Sequence, residues 1–102
     1  FLNPVYGLYA AVSRQTLTGE PKDGWFPDQR LTIEEAIEAY TKAPAWASFE
    51  EAIKGTLSPG KLADIAVFDT DLIAIGKTNP AGLLNARATM TIVGGRVVYT
   101  RN

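Results

Sequence analysis

The sequence predicts an α+β fold, with helices in its first half and strands in its second. Apolar residues recur at helical spacing in two segments before residue 54. Two short runs rich in β-branched residues flank a pair of glycines near the end, which is typical of a hairpin. Gly55 lies between these halves. We therefore expect a helical part over residues 1–54 and a strand part over residues 55–102.

Composition excludes several classes of protein. The chain has 102 residues, of which 46% are hydrophobic and 21% charged, and its net charge is -1. Without a basic surface to neutralise phosphates, we expect no nucleic-acid partner. No apolar run approaches the roughly 20 residues that span a bilayer, so we expect no membrane partner. The lack of cysteine fits a reducing compartment, and we expect a cytoplasmic protein.

The first helix is predicted to follow the turn-forming pair Asn3-Pro4. One face of it carries apolar residues at helical spacing, namely Val5, Leu8, Tyr9 and Val12. Residues 15–30 contain two glycines and two prolines and are predicted to form a long loop. We expect the adjacent Trp25 and Phe26 in that loop to pack on another surface rather than to bind a ligand.

The clearest helix signal covers residues 32–43. Thr32 and Glu35 form a capping-box pattern, in which each side chain accepts a hydrogen bond from the other residue's amide. An apolar stripe follows, made of Ile33, Ala36, Ile37 and Tyr40. The acidic residues Glu34, Glu35 and Glu38 fit a solvated face better than a metal site. We expect Pro44 to end or kink this helix, and a second helix to cover residues 45–53.

The strand part begins with a type II turn at Pro59-Gly60, followed by a strand over residues 65–68. A short helical turn is predicted from Pro80 through Leu84. The hairpin is predicted over residues 88–93 and 96–100, joined by Gly94-Gly95. This register places Ile92 opposite Val97 and Met90 opposite Tyr99, on the face that we expect to be buried.

The most informative absence is that of histidine, since the chain has none. Histidine is the commonest general base and the commonest zinc ligand, and cysteine is missing as well. Asp64, Asp69 and Asp71 lie close together in sequence, and a carboxylate site for a hard cation remains open. Aspartates at strand ends more often cap turns. We therefore predict no catalytic residue and no metal ligand in this chain.

Four blocks of sequence together resemble the amidohydrolase superfamily. Residues 54–69 read KGTLSPGKLADIAVFD and resemble the family's G-x-L-x-P-G-K-x-A-D segment, and TIVGGRVVY at residues 91–99 resembles its closing hairpin. Upstream, GLYAAVSRQ at residues 7–15 and QRLTIEEA at residues 29–36 are similar to the metal-dependent branch that includes N-substituted formamide deformylase.

The resemblance implies a C-terminal fragment of a (β/α)₈-barrel hydrolase together with strands of its composite β-sandwich side domain. Residues 1–54 would supply the last barrel helices, and residues 55–102 the sandwich strands. Phe1, Leu2 and Asn3 would lie on the last barrel loop, at the substrate rim. The whole enzyme would hydrolyse non-peptide C–N bonds with a divalent metal such as zinc. None of the family's metal ligands maps onto this chain, and Lys54 and Lys61 match the sandwich segment.

Three hypotheses remain for the chain. In the first, it is an inactive portion of a hydrolase, and its partners are the remainder of its own barrel and the N-terminal sandwich strands. The isolated chain would then associate with itself through exposed helix faces and strand edges. In the second, it is a free-standing α+β interaction module. In the third, it is a small enzyme that uses Asp64, Asp69 or the Glu34, Glu35 and Glu38 cluster.

Overall fold

A computed structural model describes residues 3–102 of the chain, and Phe1 and Leu2 lie outside the described residues. The described residues contain helices α1 (Pro4–Ser13), α2 (Ile33–Tyr40), α3 (Lys42–Ala47) and α4 (Leu72–Thr78), strands β1 (Ile65–Phe68), β2 (Ala88–Val93) and β3 (Arg96–Thr100), and 3₁₀ helices at Pro27–Gln29 and Pro80–Asn85. The predicted α+β class is confirmed. Within residues 3–102, no helix has the length and apolar character needed to cross a membrane.

The described chain divides into two compact units that interleave in sequence. The helical unit consists of residues 3–37 and 70–86, and the sheet unit consists of residues 38–69 and 87–102. Each unit therefore takes residues from both sides of Gly55. The assignment of residues 1–54 to a barrel and of residues 55–102 to a sandwich stays a prediction.

Helix α1 begins and packs as predicted. The Asn3 side chain accepts a hydrogen bond from the Val5 amide at 3.2 Å, and Pro4 occupies the first turn, where its missing N–H costs nothing. Tyr9 buries its ring and is 2% exposed. Its hydroxyl donates to the Thr16 carbonyl oxygen at 2.8 Å, so the polar end of the side chain has a partner.

The core of the helical unit joins α1, α2 and the 3₁₀ helix that follows α4. Its buried members are Leu8, Tyr9, Val12, Ile33, Ala36 and Leu83, with Leu72 and Ile75 of α4 packed against them. Burying a side chain such as Leu83, which is fully buried, contributes roughly 1.5–3 kcal/mol. Helix α4 was not predicted from the sequence, although Asp71 caps it by accepting from the Ala74 amide at 3.0 Å.

Helix α2 opens with the predicted capping box. The Thr32 amide donates to Glu35 Oε1 at 2.9 Å, and the Glu35 amide donates to Thr32 Oγ1 at 3.1 Å. The expectation that this helix would run to Ala43 and end or kink at Pro44 is wrong. The helix ends at Tyr40, Thr41 leaves helical geometry at φ -125 and ψ -76, and Pro44 lies within the first turn of α3. A proline in the first helical turn is tolerated because no amide is needed there.

Helix α3 ends earlier than predicted, at Ala47 rather than Ile53. The Phe49 amide donates to the Trp46 carbonyl at 3.0 Å, and the Glu50 amide donates to the Ala45 carbonyl at 2.8 Å. This pair of bonds is a Schellman motif, with Phe49 at the left-handed position (φ 62) that glycine usually occupies. The left-handed conformation costs a residue with a side chain about 1–2 kcal/mol.

The strands form an antiparallel sheet in the order β1-β2-β3. The Gly94-Gly95 turn is confirmed, with φ of 58 and 81, as a two-residue hairpin turn with the favoured twist requires. Ile92 pairs with Val97 as predicted, but the predicted pairing of Met90 with Tyr99 is wrong. Tyr99 pairs with Thr91 and Met90 with Thr100, because Val98 is the extra residue of a bulge.

The sheet unit has almost no buried interior. Among its residues in the described chain, only Ala45 is buried. All five residues of β3 are exposed, and Val97, Val98 and Tyr99 each leave about half of their surface in solvent. The expectation that the hairpin buries Val97 and Tyr99 is therefore wrong for this chain, because no second layer of the unit covers them. Met90 and Ile92 of β2 are half-buried.

The close approach of α4 to α2 generates a prediction about stability. A Cβ at Gly76 would lie 2.6 Å from Ile33 Cγ1, which is too close for two carbons. Alanine has a higher helix propensity than glycine by about 1 kcal/mol, but overpacking a core costs about 1–3 kcal/mol. Because a 2.6 Å approach lies at the severe end of overpacking, we expect Gly76→Ala to lower the free energy of unfolding by about 2 kcal/mol, measured by urea denaturation.

The matched control for Gly76→Ala is Thr78→Ala, at an exposed position in the same helix. The Thr78 hydroxyl bonds back to the Ala74 carbonyl at 2.9 Å, and such bonds contribute little to helix stability. We expect Thr78→Ala to change the free energy of unfolding by less than about 0.5 kcal/mol. Equal stability of Gly76→Ala and the unmutated chain would contradict the close packing of α4 on Ile33.

Candidate functional site

The described residues lack the ligands of a catalytic transition metal. No group of three or more His, Cys, Asp or Glu side chains within residues 3–102 could hold a metal ion. The full sequence contains no histidine and no cysteine, which are the usual ligands of zinc. The residues present therefore do not fit the metal centre that the sequence resemblance implies, and no step of metal chemistry is assigned to them.

The carboxylates of the Asp64, Asp69 and Asp71 group each bind a different backbone amide. Asp64 accepts from the Gly94 amide at 2.8 Å and Asp69 accepts from the Arg87 amide at 3.0 Å. Asp71 caps α4. Three carboxylates that hold three separate segments do not converge on one cation. The structure thus gives no support to the hypothesis of a carboxylate enzyme built on these residues.

Two further contacts show how the motif residues hold the sheet unit together. Asp69 also forms an ion pair with Arg101, with an oxygen-to-nitrogen distance of 3.2 Å, and so ties the start of β2 to the residue after β3. The Gly95 amide donates to the Ala63 carbonyl at 3.0 Å, next to the contact that Asp64 makes with Gly94. The G-K-x-A-D segment therefore anchors the hairpin turn.

Lys61 has a structural role in the same motif. Its ammonium donates to the Glu51 carbonyl at 2.7 Å and to the Thr56 hydroxyl at 2.9 Å. Gly60 before it has φ 89 and the Lys61 amide donates to the Ser58 carbonyl at 3.2 Å, which confirms the predicted turn. The turn aims the lysine back at the segment after α3. Lys61 is thereby committed to backbone and hydroxyl partners within the sheet unit.

The glutamates of α2 lie on a solvated face, as predicted. Glu34 accepts from Lys77 Nζ at 2.9 Å, and this hydrogen bond is the main reason that its pKa lies below the usual value. Glu35 caps the helix, and Glu38 lies 3.9 Å from Lys42. Each glutamate has its own local partner, so the cluster does not form one site. Such exposed pairs contribute little to stability because solvent screens them.

The predicted substrate rim is only partly within the described chain. Phe1 and Leu2 lie outside the described residues. Asn3 is exposed, and its side-chain oxygen accepts from the Val5 amide as the cap of α1. The role of these three residues at a substrate rim stays a prediction.

The aromatic pair of the long loop is held in place but remains exposed. Trp25 and Phe26 are each 61% exposed, and their rings meet edge to face with centroids 4.7 Å apart. The Arg14 guanidinium lies 5.0 Å from the centre of the Trp25 ring, and Arg14 Nε donates to the Trp25 carbonyl at 2.8 Å. Part of the surface of the two rings is therefore covered by their contacts with each other and with Arg14.

One open cavity of the helical unit has a volume of about 290 Å³. It is lined by Val12, Ser13, Gln15, Arg30, Asn79, Pro80 and Ala81. The Ser13 hydroxyl donates to the Tyr9 carbonyl at 2.7 Å and accepts from the Gln15 amide at 3.2 Å. Its hydrogen-bonding capacity is committed to α1 and no base lies beside it among the lining residues. The cavity therefore lacks the chemistry of a nucleophilic site.

Comparison with known proteins identifies the family, and the match covers nearly the whole chain. Residues 1–99 match the model of the family described as the amidohydrolase family. The chain belongs to the amidohydrolase family. The resemblance inferred from the four sequence blocks is therefore confirmed.

Three curated relatives match nearly all of this chain but only a small part of their own length. N-substituted formamide deformylase of Arthrobacter pascens is 36% identical over 97% of the chain, which spans 17% of that relative. Protein LONG AFTER FAR-RED 3 of Arabidopsis thaliana is 31% identical over 96% of the chain and 16% of the relative. Putative amidohydrolase YtcJ of Bacillus subtilis is 28% identical over 99% of the chain and 18% of the relative. No solved structure gives a significant match.

The hydrogen bond from the Gly94 amide to Asp64 predicts that Asp64 stabilises the fold, which is a structural role. We expect Asp64→Ala to lower the free energy of unfolding by about 1 kcal/mol, because the Gly94 amide loses a charged acceptor. Urea denaturation of the chain measures the change. Asp28→Ala is the control, because Asp28 is exposed and its carboxylate makes no hydrogen bond or ion pair in the described part of the chain, and we expect no loss. A fully stable Asp64→Ala variant would contradict the structural role.

Proposed function

We propose that this chain is the C-terminal portion of a metal-dependent amidohydrolase that hydrolyses non-peptide C–N bonds of the amide type, and that it is inactive alone. One observation carries the proposal: a chain that matches the amidohydrolase family over residues 1–99 contains no histidine, no cysteine and, in its described part, no metal-binding cluster. The metal, such as zinc, and the residues that hold it would then belong to the rest of the polypeptide.

The substrate class rests on similarity to the relatives. One of them is named for deformylation of N-substituted formamides and shares 36% of its residues with this chain. Another is named as a putative amidohydrolase. Both names denote hydrolysis at an amide-type bond. We extend that class, but no particular substrate, to the protein that contains this chain.

The proposed place of the chain in the enzyme is the junction of its two substructures. The amphipathic helices near the start would complete the (β/α)₈ barrel, and the hairpin would contribute strands to the side sandwich. The support comes from the sheet unit, where the apolar residues of β3 have no cover. A three-stranded sheet normally needs a packed face to be stable. The remainder of the barrel and the N-terminal sandwich strands would supply that face.

The same exposed surfaces predict how the isolated chain behaves. Strands β1 and β3 are the outer strands of the sheet formed by residues 3–102, and an exposed strand edge can pair with another chain. We expect the isolated chain to associate with itself, with an apparent mass that rises with concentration in static light scattering. A mass that stays at 11.0 kDa over the whole concentration range would contradict this.

A second candidate function is a free-standing interaction module, and the exposed aromatic residues Trp46 and Phe49 favour it. Both candidates use these residues for contact with protein. They differ in whether the partner is the same polypeptide. Translation of the reading frame upstream of residue 1 separates them, because a histidine-rich barrel sequence in frame would support the hydrolase and exclude the module.

The direct test of the proposed function compares the 102-residue chain with the full-length polypeptide. Both are purified with zinc present and assayed for release of formate from an N-substituted formamide and of ammonia from a set of simple amides. We expect hydrolysis of at least one substrate by the full-length protein and none by the chain. Turnover by the chain alone, removed by a chelator, would contradict the proposal.

A further inference from the structure

The most exposed aromatic residues of the sheet unit lie at the end of α3. Phe49 is 91% exposed and Trp46 is 70% exposed. They lie three residues apart, and the Phe49 amide donates to the Trp46 carbonyl at 3.0 Å. We infer that Trp46 and Phe49 are the anchor residues by which this chain docks onto an apolar surface in the remainder of its own polypeptide. This inference rests on the proposed function.

The backbone conformation of Phe49 is the first argument. Phe49 occupies the left-handed position after a helix with φ 62, where glycine or asparagine avoids the steric conflict of a larger side chain. The Phe49 ring lies in solvent, so no hydrophobic burial offsets this steric conflict. A strained backbone and an exposed ring both disfavour this residue in the isolated chain. The ring must therefore gain its contacts outside the described residues.

The rigidity of the surrounding segment is the second argument. Ala45 is buried, and a Cβ added to Gly55 would lie 2.7 Å from the Ala45 Cβ, so the chain crosses closely at this point. Lys61 holds the Glu51 carbonyl. The Schellman bonds described above fix the end of α3. These contacts fix the backbone from which the two aromatic side chains project. A backbone that is already ordered lowers the entropy cost of docking.

The charges around the anchor residues define the chemistry of the partner surface. Glu50 pairs with Lys54 at 3.0 Å, and Glu38 lies 3.9 Å from Lys42. With Glu51, the three acids of residues 38–54 exceed the two lysines by one, so the segment carries a net charge of -1, which does not attract phosphate or an anionic membrane. Tryptophan is also enriched among residues that dominate protein interfaces. The matching surface is therefore an apolar protein pocket.

The size of the patch favours a partner within the same polypeptide over a second copy of the chain. One aromatic side chain buries about 150–250 Å² on contact, so the two anchors bury less than about 500 Å². A stable interface between separate proteins needs about 800 Å² from each side. A tethered segment does not lose independent translational freedom on docking and needs less area. The relatives provide such a tether, because the match covers only 16–18% of their lengths.

The loop residue Phe26 provides a matched control for Phe49. It is also an exposed phenylalanine with a left-handed backbone, at φ 49. Unlike Phe49, it packs edge to face on Trp25, so its ring already has a partner. Phe26→Asn and Phe49→Asn therefore relieve the same backbone conflict and remove the same ring. Only Phe49→Asn removes a proposed anchor.

The test measures melting temperatures of both variants in the 102-residue chain and in the full-length polypeptide. We expect Phe49→Asn to melt at or above the unmutated temperature in the 102-residue chain. In the full-length protein we expect it to melt at least about 2 °C lower, because an anchor contact is lost. We expect Phe26→Asn to shift the melting temperatures of both forms by the same amount, because its contact with Trp25 is lost in both. A full-length Phe49→Asn protein that melts at or above the unmutated temperature would overturn the inference.

Trp46→Gln is a second variant that leaves the backbone of the Schellman motif unchanged. We expect it to lower the melting temperature of the full-length protein by more than that of the 102-residue chain, and equal shifts would count against the anchor role. These outcomes are separate from those for the proposed function. Unchanged melting in an active full-length hydrolase would reject only the anchors, whereas amide hydrolysis by the 102-residue chain would reject the proposed function itself.

Discussion

The sheet unit has almost no buried interior of its own, and this constraint governs how its strands and loops are held. Ala45 is its only buried residue in the described chain, whereas the helical unit buries Tyr9, Ile33 and Leu83 almost completely. Hydrophobic burial is the main favourable term in folding, so a sheet without a covered face is held chiefly by hydrogen bonds of modest net value. We propose that protein from outside residues 3–102 covers the exposed apolar side chains of β3 and of the end of α3.

Polar contacts organise the sheet unit where burial does not. Lys61, Asp64 and Asp69 come from the segment that resembles the amidohydrolase family, and all three bind backbone groups. Asp64 and Asp69 accept the amides of residues 94 and 87, so the segment fixes both ends of β2. The residues of this chain that resemble the amidohydrolase family therefore have a structural role, which is to hold the sheet together. The metal-dependent hydrolysis that we propose would require ligands that these residues do not include.

The sequence predicted those elements whose signals are local. The capping box at Thr32 and Glu35, the Pro59-Gly60 turn and the Gly94-Gly95 hairpin each depend on a few neighbouring residues, and each is confirmed. Helix α4 was missed because its apolar run contains Gly76, and that glycine is explained by contact with Ile33, far away in sequence. The bulge at Val98 changes the strand register without any glycine or proline to mark it. The lack of histidine and cysteine was evident directly from composition.

Amide hydrogen exchange of β1, β2 and β3 measures how easily the sheet opens with and without the rest of the polypeptide. We expect amides such as those of Met90 and Ile92 to exchange rapidly in the isolated chain, since the sheet opens easily without a covering layer. In the full-length polypeptide, we expect the same amides to exchange at least about 100-fold more slowly. Contacts with a covering layer that raise the free energy of opening by about 3 kcal/mol would reduce the opened population by that factor. Equal protection of the sheet in both forms would contradict the account.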